Sequence, residues 1–296
     1  MSTSKANHRK MMRGQPVKFR DLADLHMHSI LSDGAFTVES LVDMAIKKGL
    51  RCIAITDHDN MDSYEIACKA AQGTSLEIIP GIEVSAVHEG KDIHILGYFM
   101  DVTNLAFNLE LREQTRRRIQ RVRAIIRKLN LLGIDITFEK VQSFQKGPVL
   151  GRPHIAAALI AEEYVSNFSE AFNKYLADGA EAFVEKRGIS PLQAIRLIEN
   201  AGGIAVLAHP FKTSADHMIE DLVGWGLKGI ETYCHVQKGT IGKRYRDIAK
   251  QYNLVGSGGS DFHDGHSGGA LGVVPVPYSV VEQLRNRVSL IAAEGF

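Results

Sequence analysis

Two rhythms of apolar and polar positions alternate along this chain. Short apolar runs end in clusters of polar residues, and stripes of helical period follow them. Residues 20–25 read as a strand, with Leu22 and Leu25 as apolar positions. Val38, Leu41, Val42, Ala45 and Ile46 form one stripe over 36–48, with Thr37 as N-cap and Gly49 as the stop. Strands over 51–56 and 76–80 flank a helix over 62–71, and the runs 81–85 and 91–99 around Gly90 have the pattern of a hairpin. The rhythm then changes. Residues 108–129 predict one long helix whose packed face is Ile119, Val122, Ile125, Ile126 and Leu129, and 152–163 and 169–176 predict further helices. From Ser190, a helix cap ahead of Pro191, the first rhythm resumes. Helices over 191–200, 214–225, 240–252 and 279–288 alternate there with strands over 203–208, 229–233, 254–257 and 272–275.

This order predicts an α/β domain built from residues 19–100 and 186–296 and interrupted by a mostly helical insertion at 101–185. Polar residues gather at the carboxyl ends of its strands, the habit of a barrel or open α/β sheet. Residues 1–18 are basic, have no apolar run behind them, and read as a disordered leader rather than a secretory signal.

The formal net charge of the 296 residues is only +1, so overall charge points to neither a nucleic acid nor a membrane as partner. No segment has the apolar length of a transmembrane helix. Cys52, Cys68 and Cys234 are widely spaced and match neither a disulfide framework nor a zinc pair, so a cytoplasmic location is expected. No obligate protein partner is evident. The charge is unevenly spread, however: residues 112–128 hold eight Arg or Lys and one Glu. The plain reading of that stretch is a solvated helix face, and the sharper one an electrostatic guide for a polyanion.

His26 and His28 stand two apart where the first strand ends, so their side chains project from one side. Asp33 follows in a loop. His58, Glu83, His94, His209, Asp261 and His263 also stand, for the most part, at or just beyond predicted strand ends. Nine imidazoles and carboxylates exceed the needs of one ion and suit two or three, with a carboxylate bridging a pair. The mixture fits Mn²⁺, Fe²⁺ or Zn²⁺ better than an all-oxygen Mg²⁺ site. Three divalent ions bring six positive charges, of which Asp33, Glu83 and Asp261 offset three, so such a site attracts an anion such as a phosphate ester. Asp57 and Asp59, either side of His58, are further ligands, orienting carboxylates or helix caps. Gly258 and Gly259 offer a place where backbone amides can approach a phosphate.

The motifs H-x-H-x4-D at 26–33, T-D-H-D at 56–59, G-I-E at 81–83, His94, A-H-P at 208–210 and S-D-F-H at 260–263 occur in this order over residues 24–99 and 188–265. The combination resembles the polymerase-and-histidinol-phosphatase (PHP) family. The resemblance implies a distorted seven-stranded (β/α) barrel with a trinuclear metal centre. One ion would take His26, His28, Glu83 and Asp261. A second would share Glu83 and add His94 and His209, and a third would take Asp33, His58 and His263. Glu83, Asp261 and His209 count as catalytic through the ions they hold, and a bridging water or hydroxide would attack phosphorus in line.

Within the insertion, Gly151-Arg152-Pro153-His154 resembles the G-R-P-H segment of small bacterial phosphoesterases of this family. Those enzymes hydrolyse nucleoside 5′-monophosphates or remove the 3′-phosphate from 3′,5′-bisphosphates, and relatives trim short RNA from its 5′ end. The resemblance makes the insertion a cap on the C-terminal face of the strands. It makes Arg152 a phosphate clamp, with Lys186 or Arg187 assisting. His154 would orient a phosphate or cap its helix, and His235, past a strand end, is a further substrate-side candidate. The expected activity is hydrolysis of 5′-AMP or a nucleoside 3′,5′-bisphosphate with three divalent ions, Mn²⁺ foremost. The alternatives are a 5′-to-3′ exonuclease on short RNA, a histidinol phosphatase, and a metal-binding interaction domain without turnover.

Overall fold

The computed structural model describes residues 21–145, 147–213, 215–233, 240–264 and 270–294. The leader 1–18 and His235 lie outside the described residues. Strand β1 (Leu22–Asp24) leads to helix α1 (Val38–Lys48), β2 (Cys52–Ile53), α2 (Ser63–Ala70) and β3 (Glu77–Ile78). The hairpin of β4 (Gly81–His88) and β5 (Lys91–Tyr98) follows. The inserted helices are α3 (Leu105–Leu131), α4 (Phe138–Gln142), α5 (Arg152–Ala161) and α6 (Phe168–Ala171), the last running into a π-helical turn at Phe172–Leu176. Then come α7 (Pro191–Asn200), β6 (Ile204–Leu207), α8 (Pro210–Thr213), α9 (Ile219–Gly224), β7 (Gly229–Tyr233), α10 (Thr240–Gln251), β8 (Val255–Gly258), β9 (Val276–Pro277) and α11 (Tyr278–Glu294).

Local chemistry explains the boundaries. The Thr37 hydroxyl accepts the Ser40 N–H at 3.2 Å, and Gly49 ends α1 in the left-handed region at φ 69°. The Asn104 side chain accepts the Phe107 N–H at 3.0 Å, so α3 begins earlier than the apolar stripe indicates. The Ser190 hydroxyl and the Gln193 side chain cap α7 reciprocally. The last strand lies later than expected, at Val276–Pro277, because those residues pair antiparallel with Leu22 and Ala23.

The strands form two sheets rather than one continuously paired seven-stranded barrel. One has the order β3-β2-β1-β9 and the other β4-β5-β6-β7-β8. The physical reason lies in β1–β3, which pair over only two or three residues before the chain leaves the ladder. Beyond those ends, isolated bridges join the sheets, Met27 to Phe262 and His58 to Glu83. All of these bridging residues belong to the polar motifs or stand next to them.

The inner faces of the two sheets meet in one apolar cluster that includes Leu25, Ala54, Leu96, Tyr98, Val206 and Val255, closed by Val281 and Leu284 of α11. The Tyr98 hydroxyl crosses this layer and donates to the Leu25 carbonyl at 2.8 Å. Helices α1 and α2 cover the outside of the first sheet, and α7, α9 and α10 that of the second. Helix α3 belongs to two cores. Its Phe107 and Leu111 pack with the second sheet and α7, while Val122, Ile125 and Leu129 pack with Ile155, Leu159 and Leu176 of the inserted helices. Among the described residues, no helix is long and apolar enough to cross a membrane.

Candidate metal centre

The strand-like alternation of β1 continues past its last paired residue, so Asp24, His26 and His28 project to one side. Asp24 is fully buried and serves as an anchor: its two oxygens accept the Ser260 N–H at 2.8 Å and the Gly272 N–H at 2.7 Å. The loops after β8 are thereby tied to the base of the histidine pair. Gly259 passes so close that a Cβ there would stand 2.3 Å from the His26 nitrogen, and one on Gly258 would stand 2.0 Å from the Tyr233 carbonyl oxygen. Both glycines serve this close approach of backbone, instead of presenting amides to a phosphate.

Glu83, on β4, is the hub. Its Oε1 lies 2.8 Å from His94 Nδ1 and 2.9 Å from His209 Nε2. Its Oε2 lies 3.2 Å from His26 Nε2, 3.1 Å from His28 Nε2 and 3.4 Å from His58 Nδ1. Asp261 Oδ1 stands 3.4 and 3.5 Å from the same nitrogens of His26 and His28. On the far side, Asp33 lies 3.5 Å from both His28 Nδ1 and His263 Nε2 and 3.6 Å from His58 Nε2. All nine residues expected from the motifs are thus brought together.

Donor atoms of seven of them fall into overlapping groups: His28, Asp33, His58 and His263; His26, His28 and Glu83; His58, Glu83 and His94. Within each group they lie within 4.8 Å of one another. The grouping departs from the expected partition: His28 and His58 each belong to two groups, and Asp261 and His209 stand beside the groups, at His26 and His28 and at Glu83 respectively. The donor set fits divalent ions. It consists of imidazoles and carboxylates only, and His58 Nδ1 is buried without a hydrogen-bond partner although Glu83 faces it.

Electrostatics agree. Burial opposes charge on Glu83, yet the imidazoles of His58, His94 and His26 and the His209 hydrogen bond hold its carboxyl well below the usual range. Burial also opposes protonation of His28, but hydrogen bonds to Asp261 and Glu83 and the charge of Asp33 push it up to about 10. Burial alone dominates at His58, which falls to about 3.

Several residues that the sequence left undefined complete the site. Glu231 of β7 is buried, with Oε1 3.0 Å from His26 Nδ1 and Oε2 accepting the His209 N–H at 2.5 Å. It orients the His26 imidazole and anchors the His209 backbone. Its signal was an acid inside an otherwise apolar strand, G-I-E-T-Y. Asp57 accepts the Ser29 N–H and hydroxyl, each at 2.7 Å, and the Ser32 hydroxyl at 2.6 Å, which shapes the loop between His28 and Asp33. Asp59 accepts the Ser85 N–H at 2.8 Å and the Arg118 guanidinium at 2.7 and 2.9 Å. Lys212 pairs with the outer oxygen of Asp261. Asp59, His209 and Asp261 have positive φ angles of 50°, 24° and 52°, local strain of the kind stored at functional sites.

On the substrate side, Arg152 Nη1 donates to the Leu176 carbonyl and to Asp178, each at 3.1 Å, and Nη2 lies 3.9 Å from Asp92. Lys186 lies 2.7 Å from Asp92, which precedes His94 by two residues on β5 and so shares its side. Arg187, by contrast, is exposed. His154 Nδ1 accepts the Gly151 N–H at 3.2 Å, the helix-capping option of the two expected for it.

The PHP domain model matches residues 24–176. This chain belongs to the PHP-domain family. It is 35% identical over 245 residues to a 5′-3′ exoribonuclease of Haemophilus influenzae, covering 81% of this chain and 89% of that protein. It is 31% identical over 252 residues to a 3′,5′-nucleoside bisphosphate phosphatase of Chromobacterium violaceum, covering 83% and 88%. A structure of an amidohydrolase from Chromobacterium violaceum, with bound sulfate, superposes with a TM-score of 0.78 at 28% identity over 90% of this chain and 96% of that one. The PHP chain is therefore a metal-dependent hydrolase of the phosphoesterase type, which sets aside the reading as an interaction domain without turnover.

Metal binding by the PHP site should release protons. His28, pushed up to about 10, is protonated near neutral pH without metal, and a ligand imidazole must be neutral. Raising the pH removes that competing proton, so affinity for Mn²⁺ should rise from pH 6 to pH 8. Calorimetric titration in two buffers of different ionisation enthalpy measures the release. Proton-neutral binding would remove His28 from the ligand set.

Proposed function

We propose that this protein hydrolyses phosphate monoesters of small nucleotides, 5′-AMP or a nucleoside 3′,5′-bisphosphate, at a centre of three divalent ions. The observation that carries this reading is the arrangement of Glu83. Its buried carboxylate divides two oxygens among five imidazoles, while Arg152 and Lys186 converge on Asp92 next to His94. The imidazole–carboxylate mixture favours Mn²⁺, with Fe²⁺ or Zn²⁺ as alternatives. Such ions supply Lewis acidity toward phosphate oxygens and an activated water.

The chain's own residues do the rest. On this reading Glu83, His26, His28 and Asp261 would hold one ion, Glu83, His94 and His209 a second, and Asp33, His58 and His263 the third. Glu231 fixes the ring of His26 and the backbone of His209, so both are positioned before a ligand arrives. Arg152 and Lys186 present charged donors to a second phosphate, which would displace Asp92 and Asp178 as their acceptors. On this reading the two sheets work as the distorted barrel of the family, residues 101–185 are its cap, and the unpaired Cys52 and Cys68 suit the reducing cytoplasm.

A second reading, stepwise hydrolysis of short RNA from its 5′ end, is supported by the Haemophilus influenzae relative. Product analysis separates the two. The Mn²⁺-loaded protein should release inorganic phosphate from 5′-AMP and from a 3′,5′-bisphosphate. From a 5′-phosphorylated dinucleotide, a released mononucleotide marks the exonuclease. No turnover across nucleotide, dinucleotide and histidinol phosphate substrates, with metal content confirmed, would overturn the function.

Glu83→Gln should lower metal content and reduce the rate by more than about 100-fold, beyond the effect typical of residues that only support ligands. Elemental analysis and phosphate release measure it, and full occupancy with near-normal rates would disprove the hub role. Arg152→Ala should keep the metal and raise KM on bisphosphates about 10- to 100-fold, the range of a charged hydrogen bond in a partly exposed setting. Unchanged KM and kcat would take Arg152 out of the site.

A further inference from the structure

The surplus positive charge of residues 112–128 is divided between two tasks. Arg118 turns inward to Asp59 and Ser85. Arg117, ion-paired with Glu110 at 3.0 Å and Glu113 at 3.6 Å, and Arg121 turn the other way and, with Lys128 and Arg187, line a cleft of about 600 Å³ between α3 and residues 183–187. Against these four cations the lining holds two acids, Glu113 and Glu185, and one aromatic ring, Phe183.

The walls of the cleft are built. Arg121 Nε donates to the Val184 carbonyl at 2.9 Å and Lys128 Nζ to the Phe183 carbonyl at 2.5 Å, so both cations are held in place with donors to spare. The Arg121 guanidinium lies 6.0 Å from the centre of the Phe183 ring. Its pKa falls to about 10, first through burial and then through the nearby Arg152. No hydrogen bond or ion pair joins Arg187 to another described residue.

The cleft and the metal centre share one wall. Lys186, one residue before Arg187, turns to Asp92 beside His94, and Arg152 approaches the same carboxylate. Residues 183–187 therefore form a wall between the two, basic on both sides.

We propose that this cleft binds the phosphodiester backbone of a single-stranded oligoribonucleotide whose 5′ end lies at the metal centre, with Phe183 as a stacking surface for one base. The proposal rests on the RNA-trimming reading. Cations along a groove track successive phosphates, and a ring among them stacks a base without reading its identity. On this proposal Arg187 meets a phosphate beyond the first nucleotide, so the cleft serves longer substrates and not a mononucleotide.

The test uses the Mn²⁺-loaded full chain with Arg187→Glu, the charge-conserving Arg187→Lys, and Arg127→Glu as an equal charge change on α3 outside the cleft. On a 5′-phosphorylated hexaribonucleotide at about 50 mM salt, Arg187→Glu should lower kcat/KM about 5- to 10-fold, and the loss should shrink at about 300 mM as counterions screen the contact. Arg187→Lys should restore most of the rate, Arg127→Glu should change it less than about twofold, and 5′-AMP hydrolysis should stay within about twofold for all three. Equal losses on both substrates, no loss on the hexamer, or an equal effect of Arg127→Glu overturns the proposal. Anisotropy of a 3′-labelled hexamer, read on the same proteins, separates this failure from failure of the RNA-trimming reading. If the hexamer is not cleaved, binding weakened by Arg187→Glu alone still supports the cleft, and binding insensitive to it, or competed equally by an acidic peptide of matched charge, overturns it.

Discussion

A buried, ionised carboxylate surrounded by imidazoles is the constraint on which this fold turns. Isolated in a protein interior, Glu83 would carry a desolvation cost of several kcal/mol. It is tolerated because five histidines from four separate segments reach its two oxygens. The backbone is committed to the same point: the Glu83 N–H donates to the Asp57 carbonyl at 3.3 Å and its carbonyl accepts the Asp59 N–H at 3.0 Å. The bridge between the sheets is therefore also the support of the hub, and the geometry of the centre depends on how the sheets meet.

Around the hub, a ring of carboxylates does no ligation in this arrangement and instead fixes loops. Asp24 holds the segment after β8, Asp57 the loop after His28, Asp59 the Ser85 N–H within β4, and Glu231 both His26 and His209. The functional groups sit on short irregular segments just past the strands, where backbone groups lack ladder partners. Side-chain acceptors replace the ladder there. They also hold Asp59, His209 and Asp261 in left-handed conformations that those residues do not favour by themselves.

Helix α3 joins the inserted helices to this network. Its first turns pack on the second sheet, the Gln114 amide donates to the Ser85 carbonyl at 3.2 Å, and Arg118 reaches Asp59 next to His58. Only beyond Val122 does it enter the core of the insertion. A shift of the insertion is thus transmitted to the loop that carries His58 through a charged, hydrogen-bonded contact, a coupling stiffer than apolar packing alone.

The sequence by itself determined the alternation of strands and helices and named nine polar residues that the fold brings together, because periodicity and strand ends are local properties that neighbouring residues decide. Thr37, Ser190 and Gly49 act as the caps their chemistry demands. What depended on distant contacts was not legible. The motif pattern cannot show that β1–β3 stop after two or three residues and leave two sheets joined by single bridges. Nor can it separate Arg118, neutralised by Asp59, from Arg187, which forms no ion pair with another described residue, since both are basic residues in basic surroundings. Glu231 was visible as an acid in an apolar strand, but its role required His26 and His209, 205 and 22 residues away, to arrive at the same carboxylate. Only tertiary structure brings those groups within hydrogen-bond range, where a buried charge must find partners or not be buried at all.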